Sequence, residues 1–315
     1  MSLRGEWRPI GPLLLYFGGE HEWTSYQTLF DAGESTRIFG AYAQGGIEFG
    51  PLSARVGARV DDHARFGSAV SFGGDLSYEI APALRLRASV GEGFKAPTLF
   101  QLFSDFGNEA LRPEKSTSMD LGLAYGDRTL AGGRFYGAVT GFRRDAEDQI
   151  EFASCFGSTA PLCATRPFGF YENLGRVRAQ GFEVELGARA SDRWTARAAY
   201  AYIDTENRTV GSANLGNSLA RRPRHALTVS ADWQTPLAGL TLGGDVRLVS
   251  DSFDNAANTV RLDGYALATL RASLPVGENV ELFGRIENVT DADYQTAAGY
   301  GTPGRGGFVG ARAKF

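Results

Sequence analysis

The sequence predicts an all-β protein, a transmembrane antiparallel up-and-down β-barrel of about 14 strands. Three observations carry that prediction. Apolar and polar residues alternate with a period of two in one segment after another. The segments run about 10–15 residues, longer than the usual soluble strand and enough to cross a bilayer when tilted. The connections between them alternate between short turns and long loops, as in outer-membrane barrels.

The alternation is cleanest in six segments. Leu52, Ala54, Val56, Ala58 and Val60 share one face, and Ser53, Arg55, Gly57 and Arg59 the other. Leu84, Leu86, Ala88 and Val90 oppose Arg85, Arg87 and Ser89. Phe182, Val184, Leu186 and Ala188 oppose Glu183, Glu185 and Arg189. Trp194, Ala196, Ala198, Tyr200 and Tyr202 oppose Thr195 and Arg197. Leu240, Leu242, Val246 and Leu248 oppose Thr241, Asp245 and Arg247, and Val280, Leu282 and Ile286 oppose Glu281, Arg285 and Glu287. The polar rows mix Arg and Glu, which suits a water-filled lumen better than the wet face of a soluble sandwich. Leu84, Leu86, Trp194, Tyr200, Val246 and Leu248 are therefore expected toward lipid. Arg55, Arg87, Arg197, Asp245 and Arg247 are expected toward the lumen.

In order along the chain, strands are predicted near 12–27, 36–49, 51–62, 66–80, 83–95, 115–127, 132–149, 169–190, 192–205, 222–235, 238–251, 263–275, 278–289 and 305–315. Short turns fall at Gly50–Pro51, Ala81–Pro82, Asp127–Gly132, Ser191–Asp192, Thr235–Pro236 and Val276–Gly277. Long loops fall at 96–114, 150–168, 206–221, 252–262 and 290–304. That parity places the long loops on the extracellular side.

Composition agrees. The 315 residues include 41 Gly, 21 Phe, 12 Tyr and 4 Trp but only 12 Pro. No apolar run approaches the roughly 18 residues of a membrane helix. A membrane barrel hides from such a scan because lumen residues interrupt the lipid-facing ones. The net charge of −4 comes with no basic cluster, which argues against nucleic acid. Helical periodicity and nucleotide-loop glycines, the marks of a soluble enzyme, are not found. Residues 1–17 hold one short apolar run, Leu13 to Phe17, followed at once by Gly18, Gly19, Glu20, His21 and Glu22. No leader with a cleavage site is read there, so the expectation is a part of a longer exported protein.

Four stretches resemble one family, the TonB-dependent outer-membrane receptors, and within it the cobalamin-transporter type. The first is Gly93-Phe94-Lys95-Ala96-Pro97-Thr98-Leu99-Phe100-Gln101-Leu102. The second is Gly107-Asn108 with Leu111-Arg112-Pro113-Glu114-Lys115-Ser116. The third is Tyr171-Glu172-Asn173-Leu174-Gly175 with Gly181-Phe182-Glu183-Val184-Glu185. The fourth is Asn288-Val289-Thr290-Asp291-Ala292-Asp293-Tyr294 with Gly299-Tyr300-Gly301-Thr302-Pro303-Gly304-Arg305. The chain also ends on Val309, Ala311, Ala313 and Phe315 in one row, similar to the terminal insertion signal of outer-membrane barrels.

The resemblance implies a 22-stranded barrel plugged by an N-terminal domain, of which residues 1–315 would be the C-terminal barrel part, without the plug or the TonB-contacting segment. It implies an outer-membrane receptor for a scarce nutrient, cobalamin or a ferric siderophore. The implied partners are outer-membrane lipid, the barrel-assembly machinery and, for a full-length receptor, TonB. It implies no enzyme, no catalytic residue and no cofactor, and it names no ligand-contacting residue. Read physically, most motif residues shape loop roots. Pro97 ends ladder pairing, Asn288, Asp291 and Asp293 suit a strand-to-loop junction, and Gly301, Gly304, Gly306 and Gly307 permit tight turns. The alternatives are a self-contained 14-stranded pore and, more remotely, a barrel-embedded hydrolase.

Three histidines, His21, His63 and His225, lie far apart. His63 follows Asp61 and Asp62 at a turn, where a divalent ion would find suitable ligands, but a solvated turn is the expectation and no metal site is assigned. His225 falls on an apolar row with Leu227, Val229 and Trp233, a poor place for a catalytic base. The two cysteines, Cys155 and Cys163, both lie in the 150–168 loop. On the oxidising exterior they are expected to form a disulfide.

Overall fold

A computed structural model describes residues 1–29, 33–131, 133–155 and 160–314. Its strands are β1 (Ser2–Trp7), β2 (Leu13–Tyr26), β3 (Glu34–Phe49), β4 (Leu52–His63), β5 (Gly67–Ala81), β6 (Leu84–Lys95), β7 (Glu114–Tyr125), β8 (Phe135–Ser154) and β9 (Gly169–Ser191). They continue as β10 (Trp194–Asn207), β11 (His225–Gln234), β12 (Thr241–Val249), β13 (Ser252–Phe253), β14 (Arg261–Leu262), β15 (Tyr265–Val276), β16 (Val280–Glu287) and β17 (Gly306–Ala313). One short helix, α1 (Leu99–Phe103), and one 3₁₀ turn, Pro161–Ala164, sit in the long connections.

Fifteen strands form one sheet in sequence order, and β13 and β14 make a separate small hairpin. The fourteen predicted strands are all present where they were expected, and β1 precedes them. β1 alternates Leu3, Gly5 and Trp7 against Ser2, Arg4 and Glu6, but at six residues it is too short to stand out from the turn that follows. Every neighbouring pair in the sheet is antiparallel. Direction reverses at each step, so β1 and β17 run parallel to one another. Among the described residues the two edges are not paired.

The register keeps the two chemical faces separate across the whole sheet. Arg55 pairs with Asp75, Asp75 with Ser89, and Arg87 with Ser77. Arg197 pairs with Ser230, Ser230 with Asp245, and Thr228 with Arg247. The expected lumen residues therefore share one polar face. The opposite face carries Leu86 against Tyr78 and Leu123, Trp194 against Trp233, and Val246 against Val229. Ion pairs tie polar neighbours together: Arg59 to Glu20 at 2.5 Å and to Asp61 at 2.6 Å, and Arg271 to Asp232 at 3.1 Å and to Asp245 at 2.9 Å.

The apolar face stays open to its surroundings. Val56 is 70% exposed and Phe72 61%. Water would penalise such a surface heavily, whereas hydrocarbon would not. Aromatic residues edge it at the turn end, where Trp194 and Trp233 stack with ring centroids 5.4 Å apart. Near the loop end Phe182 meets Tyr200 and Tyr202 at 5.8 and 5.7 Å. From Trp194 to Tyr202 the strand rises about 27 Å, which suits a tilted crossing of the apolar band of a barrel.

In β17, Val309, Ala311 and Ala313 pair with Gly284, Leu282 and Val280, so this terminal row joins the apolar face. Phe315 lies outside the described residues.

Candidate functional site

Short turns close one end of the sheet, as at 50–51, 82–83 and 192–193. The long connections at the other end pack on one another, and the only buried apolar cluster found among the described residues lies there. It consists of Leu102, Leu111 and Ile150, with Phe66, Phe103 and Tyr171 against it. Thr98 starts α1 by a reciprocal cap: its hydroxyl accepts from the Gln101 amide at 3.2 Å, and Gln101 accepts from the Thr98 amide at 2.9 Å. The Thr-x-x-Gln spacing was readable in the sequence, and the helix was missed because it is only five residues long. A row of edge-on rings runs from Tyr26 through Phe100, Tyr171 and Phe152 to Phe106, with centroids 5.5–6.1 Å apart. Such contacts order a loop layer beyond simple burial.

Two of the motif stretches recognised separately in the sequence meet here. Asn173 donates to the Arg112 carbonyl at 3.0 Å and to the Asp148 carbonyl at 2.6 Å, and accepts from the Arg112 amide at 2.9 Å. Arg112 is itself ion-paired with Asp148 at 2.5 Å. Asn108 donates to the Tyr171 carbonyl at 2.9 Å, and Lys95 meets the buried Glu114 at 2.7 Å. The amide side chain of Asn173 thus replaces ladder bonds where β7 gives way to the loop beside β8 and β9. Gly175, from the same stretch, lets another loop approach: a Cβ there would come within 2.7 Å of Thr209 Cγ2.

The later loops form a second polar weave. Asn258 accepts from the Ser218 amide and donates to its carbonyl, both at 2.9 Å. Arg221 pairs with Asp254 at 2.7 Å, and Asp254 also accepts from the Ala298 amide at 3.1 Å. The Arg221 hydrogen bond holds the Asp254 carboxyl below the usual range, against its partial burial. Buried Asn288 brackets Ala292 through both its amide and its carbonyl, each bond 2.9 Å. The left-handed residues of this last loop are Asn288, Asp291 and Gly299. Gly301, Gly304, Gly306 and Gly307 do not take that conformation, and Gly306 and Gly307 belong to β17. The tight turning is shared by Gly299 with Asn288 and Asp291, whose residue types tolerate left-handed geometry through local hydrogen bonds.

Below these loops, on the polar face, lies a chamber of ≈ 420 Å³. Phe142, Ala146, Val177 and Ile203 give it an apolar floor, and Leu219 and Arg222 of the 208–224 connection cover it. Arg144 and Asp120 also line it. Asp120 accepts from the Ser89 hydroxyl. Arg144 has no carboxylate partner among the described residues. Arg222 faces Glu151, in the part of the β8–β9 hairpin that stands beyond the end of β7. Burial pushes the Glu151 carboxyl up, against the pull of Arg222. The chamber therefore offers apolar contact together with positive charge, the combination that holds an anionic ligand of moderate size.

His63 is buried rather than solvated, which corrects the expectation of a wet turn. Its Nδ1 accepts from the Arg65 amide at 3.1 Å, and its Nε2 lies 3.4 Å from the Thr36 hydroxyl, so both ring nitrogens are engaged. His225 stays on the apolar face, 2.8 Å from the Tyr200 hydroxyl. Cys155 and Cys163 stand as a disulfide, with S–S 2.02 Å and Cα–Cα 5.4 Å. Arg166, just beyond, donates to the Gly107 carbonyl at 3.0 Å and joins that loop to the one carrying α1.

Residues 3–289 match the family model for TonB dependent receptor-like β-barrels, and the chain belongs to that family. It is 28% identical over 260 residues to the vitamin B12 transporter BtuB of Photobacterium profundum, covering 82% of this chain and 40% of that protein. A variant of the ferric enterobactin receptor PfeA of Pseudomonas aeruginosa superposes on 100% of the chain with TM-score 0.78 at 21% identity, over 53% of its own length. The copper transporter OprC does so with TM-score 0.79 at 17% identity, over 56% of its length. The chain thus spans well under two thirds of each of these proteins. They are transporters and receptors rather than enzymes, and β-barrels of this family are outer-membrane proteins.

Proposed function

We propose that residues 1–315 form the C-terminal part of the barrel of an outer-membrane, TonB-dependent receptor for a scarce nutrient. The observation that carries this reading is the pairing of an unbroken apolar face with a polar face roofed by packed loops. In this reading the apolar face lies in the lipid and the long loops face outward. A plug and a TonB-contacting segment complete the receptor, and TonB powers uptake through them. The barrel-assembly machinery inserts the sheet, reading the row Val309, Ala311, Ala313 and Phe315.

The cargo belongs to the class of cobalamin or ferric siderophores. The chamber charge from Arg144 and Arg222 favours an anionic ferric siderophore over cobalamin. Binding of each to the full receptor, followed by tryptophan quenching, tests this directly. A receptor that binds the ferric siderophore and loses it in Arg144→Ala supports the reading. One that binds only cobalamin, unchanged by Arg144→Ala, removes the siderophore.

The self-contained pore is disfavoured by a specific observation. β1 and β17 run parallel, so closing these fifteen strands on themselves would need a parallel pair in an otherwise antiparallel wall. Unpaired edges in hydrocarbon cost several kcal/mol per backbone group. Steady single-channel conductance from this chain alone in planar bilayers would revive the pore.

A further inference from the structure

Across β7 to β10 the apolar face is unevenly filled. Leu121 pairs with Gly141, Gly141 with Phe182, and Phe182 with Tyr202, so these four form one row. Gly141 leaves a gap in it, because a Cβ built there meets only the Gly181 carbonyl, at 3.9 Å. Around the gap runs a groove of ≈ 660 Å³, bounded toward the loops by Met119, Arg143 and Gln180.

The first charges on this face stand directly above the groove. On β8 the apolar-face positions below Arg143 are Phe135, Gly137, Val139 and Gly141, all uncharged. Arg143 Nε donates to Asp145 Oδ2 at 2.7 Å, and Arg178 Nε donates to Asp145 Oδ1 at 2.7 Å. One carboxylate therefore orients two guanidiniums through their Nε atoms. Their terminal amino groups make no hydrogen bond among the described residues. Asp204, at the groove's edge, is already met by Arg224 at 3.4 Å. Glu206, the cross-strand neighbour of Arg178, is met by Arg208 at 3.8 Å, so the local balance stays positive, with several charge-assisted donors to spare.

We propose that this groove binds one phosphorylated, anionic lipid of the surrounding leaflet. An acyl chain would lie over Gly141 between Leu121 and Phe182, and the phosphate would sit on Arg143 and Arg178. Guanidinium forks suit phosphate oxygens geometrically. The junction of uncharged and charged rows is the level at which a lipid changes from tail to headgroup. The inference rests on the reading that this face lies in a bilayer, and it adds a defined lipid site to it.

The test uses the full receptor that contains this chain and three variants of it: Gly141→Leu, which fills the groove and spares the arginines, and Arg143→Gln and Arg178→Gln, which spare the groove. Insertion into vesicles is scored first by protease protection. Phosphatidylglycerol and phosphatidylcholine are then titrated against the detergent-solubilised protein and read by native mass spectrometry. The expected result is one tightly retained phosphatidylglycerol, weakened at least tenfold by each variant, with phosphatidylcholine weaker and insensitive to the arginine changes. Insertion by all four proteins with equal phosphatidylglycerol binding overturns the lipid site alone. Failure of every protein to insert overturns the membrane reading and the lipid site with it.

Discussion

The two ends of the sheet solve the same problem, reversing the chain, by different means. At the turn end it reverses in two residues at 50–51, 82–83 and 192–193, and left-handed Gly50 and Ala83 make the bend. Packing there is local: Trp194 stacks on Trp233, and Leu130 of the 126–134 turn is buried beside Gly187. At the loop end the chain travels through 96–113 or 208–224 before returning. There it is fixed by side chains that capture distant backbone, as Asn173 captures Arg112 across 61 residues of sequence. Turn geometry is local and tolerates change, whereas the loop layer is a network whose parts depend on one another. The wall between the ends obeys a third rule, the separation of its two faces.

The largest expected effect breaks the wall. Val246→Arg, near the middle of the apolar face, should cost about 2–4 kcal/mol of folding stability in lipid vesicles. Thr228→Arg, on the polar face of the adjacent strand, should cost well under half as much. Equal costs in urea titrations of the two variants would show that the faces are not distinguished.

Next come changes to the loop layer. Loss of the Cys155–Cys163 bridge by Cys155→Ser together with Cys163→Ser should cost roughly 2–3 kcal/mol in the chain-entropy model. Thiol titration with and without reductant checks the premise, since equal counts would mean the bridge is not formed in solution. Asn173→Ala removes three hydrogen bonds and strands the Arg112 amide, so about 1–3 kcal/mol is expected. Hydrogen exchange should speed up at Arg112 and spare the turn at 192–193. Protection lost equally at both places would contradict the separation of the two ends.

The smallest effects are those of pH, and they should split the loop layer in two. Asp254 has a folded pKa below its unfolded value. Its contribution is therefore present above the unfolded pKa of about 3.9 and is lost as pH falls through the folded value. Glu151 is shifted the other way. Its contribution is present below an unfolded pKa of about 4.3 and is lost as pH rises through the folded value. Relative to the intrinsic exchange rate at each pH, protection of the Ala298 amide should fall in acid and protection around Glu151 should rise. Arg221→Ala should abolish the first response and leave the second intact.

The wall was legible in the sequence because face separation writes itself as alternation. Arg85, Arg87 and Ser89 against Leu84, Leu86 and Ala88 leave few other readings. β1 escaped because six residues hold too few alternations. The upper reach of β8, Ile150 to Ser154, was read as loop because Ile150 turns to a local apolar cluster instead of continuing the row. The loop layer was legible only as residue types. Asn288 announced a junction, and Asn108 and Asn173 stood out only as parts of motif stretches, but their partners lie 4, 63 and 61 residues away, and nothing in the order of residues supplies those pairings. The chamber escaped for the same reason, since Arg144 and Arg222 come together only when the 208–224 connection folds over the sheet.

The hairpin of β8 and β9 has one more consequence. Its last residues, from Glu147 to Ser154, climb about 24 Å past the final pair that β8 makes with β7. Toward the far edge of the sheet, β16 and β17 are only eight residues long. The hairpin thus stands above both of its neighbours, β7 and β10, like the raised lip of a jug. In the receptor proposed above, a large particle arriving from outside, such as an antibody or a virus particle, meets this hairpin before the shorter strands beside it. In that proposed setting, changes on the hairpin should alter how the receptor is seen from outside before they alter what it carries.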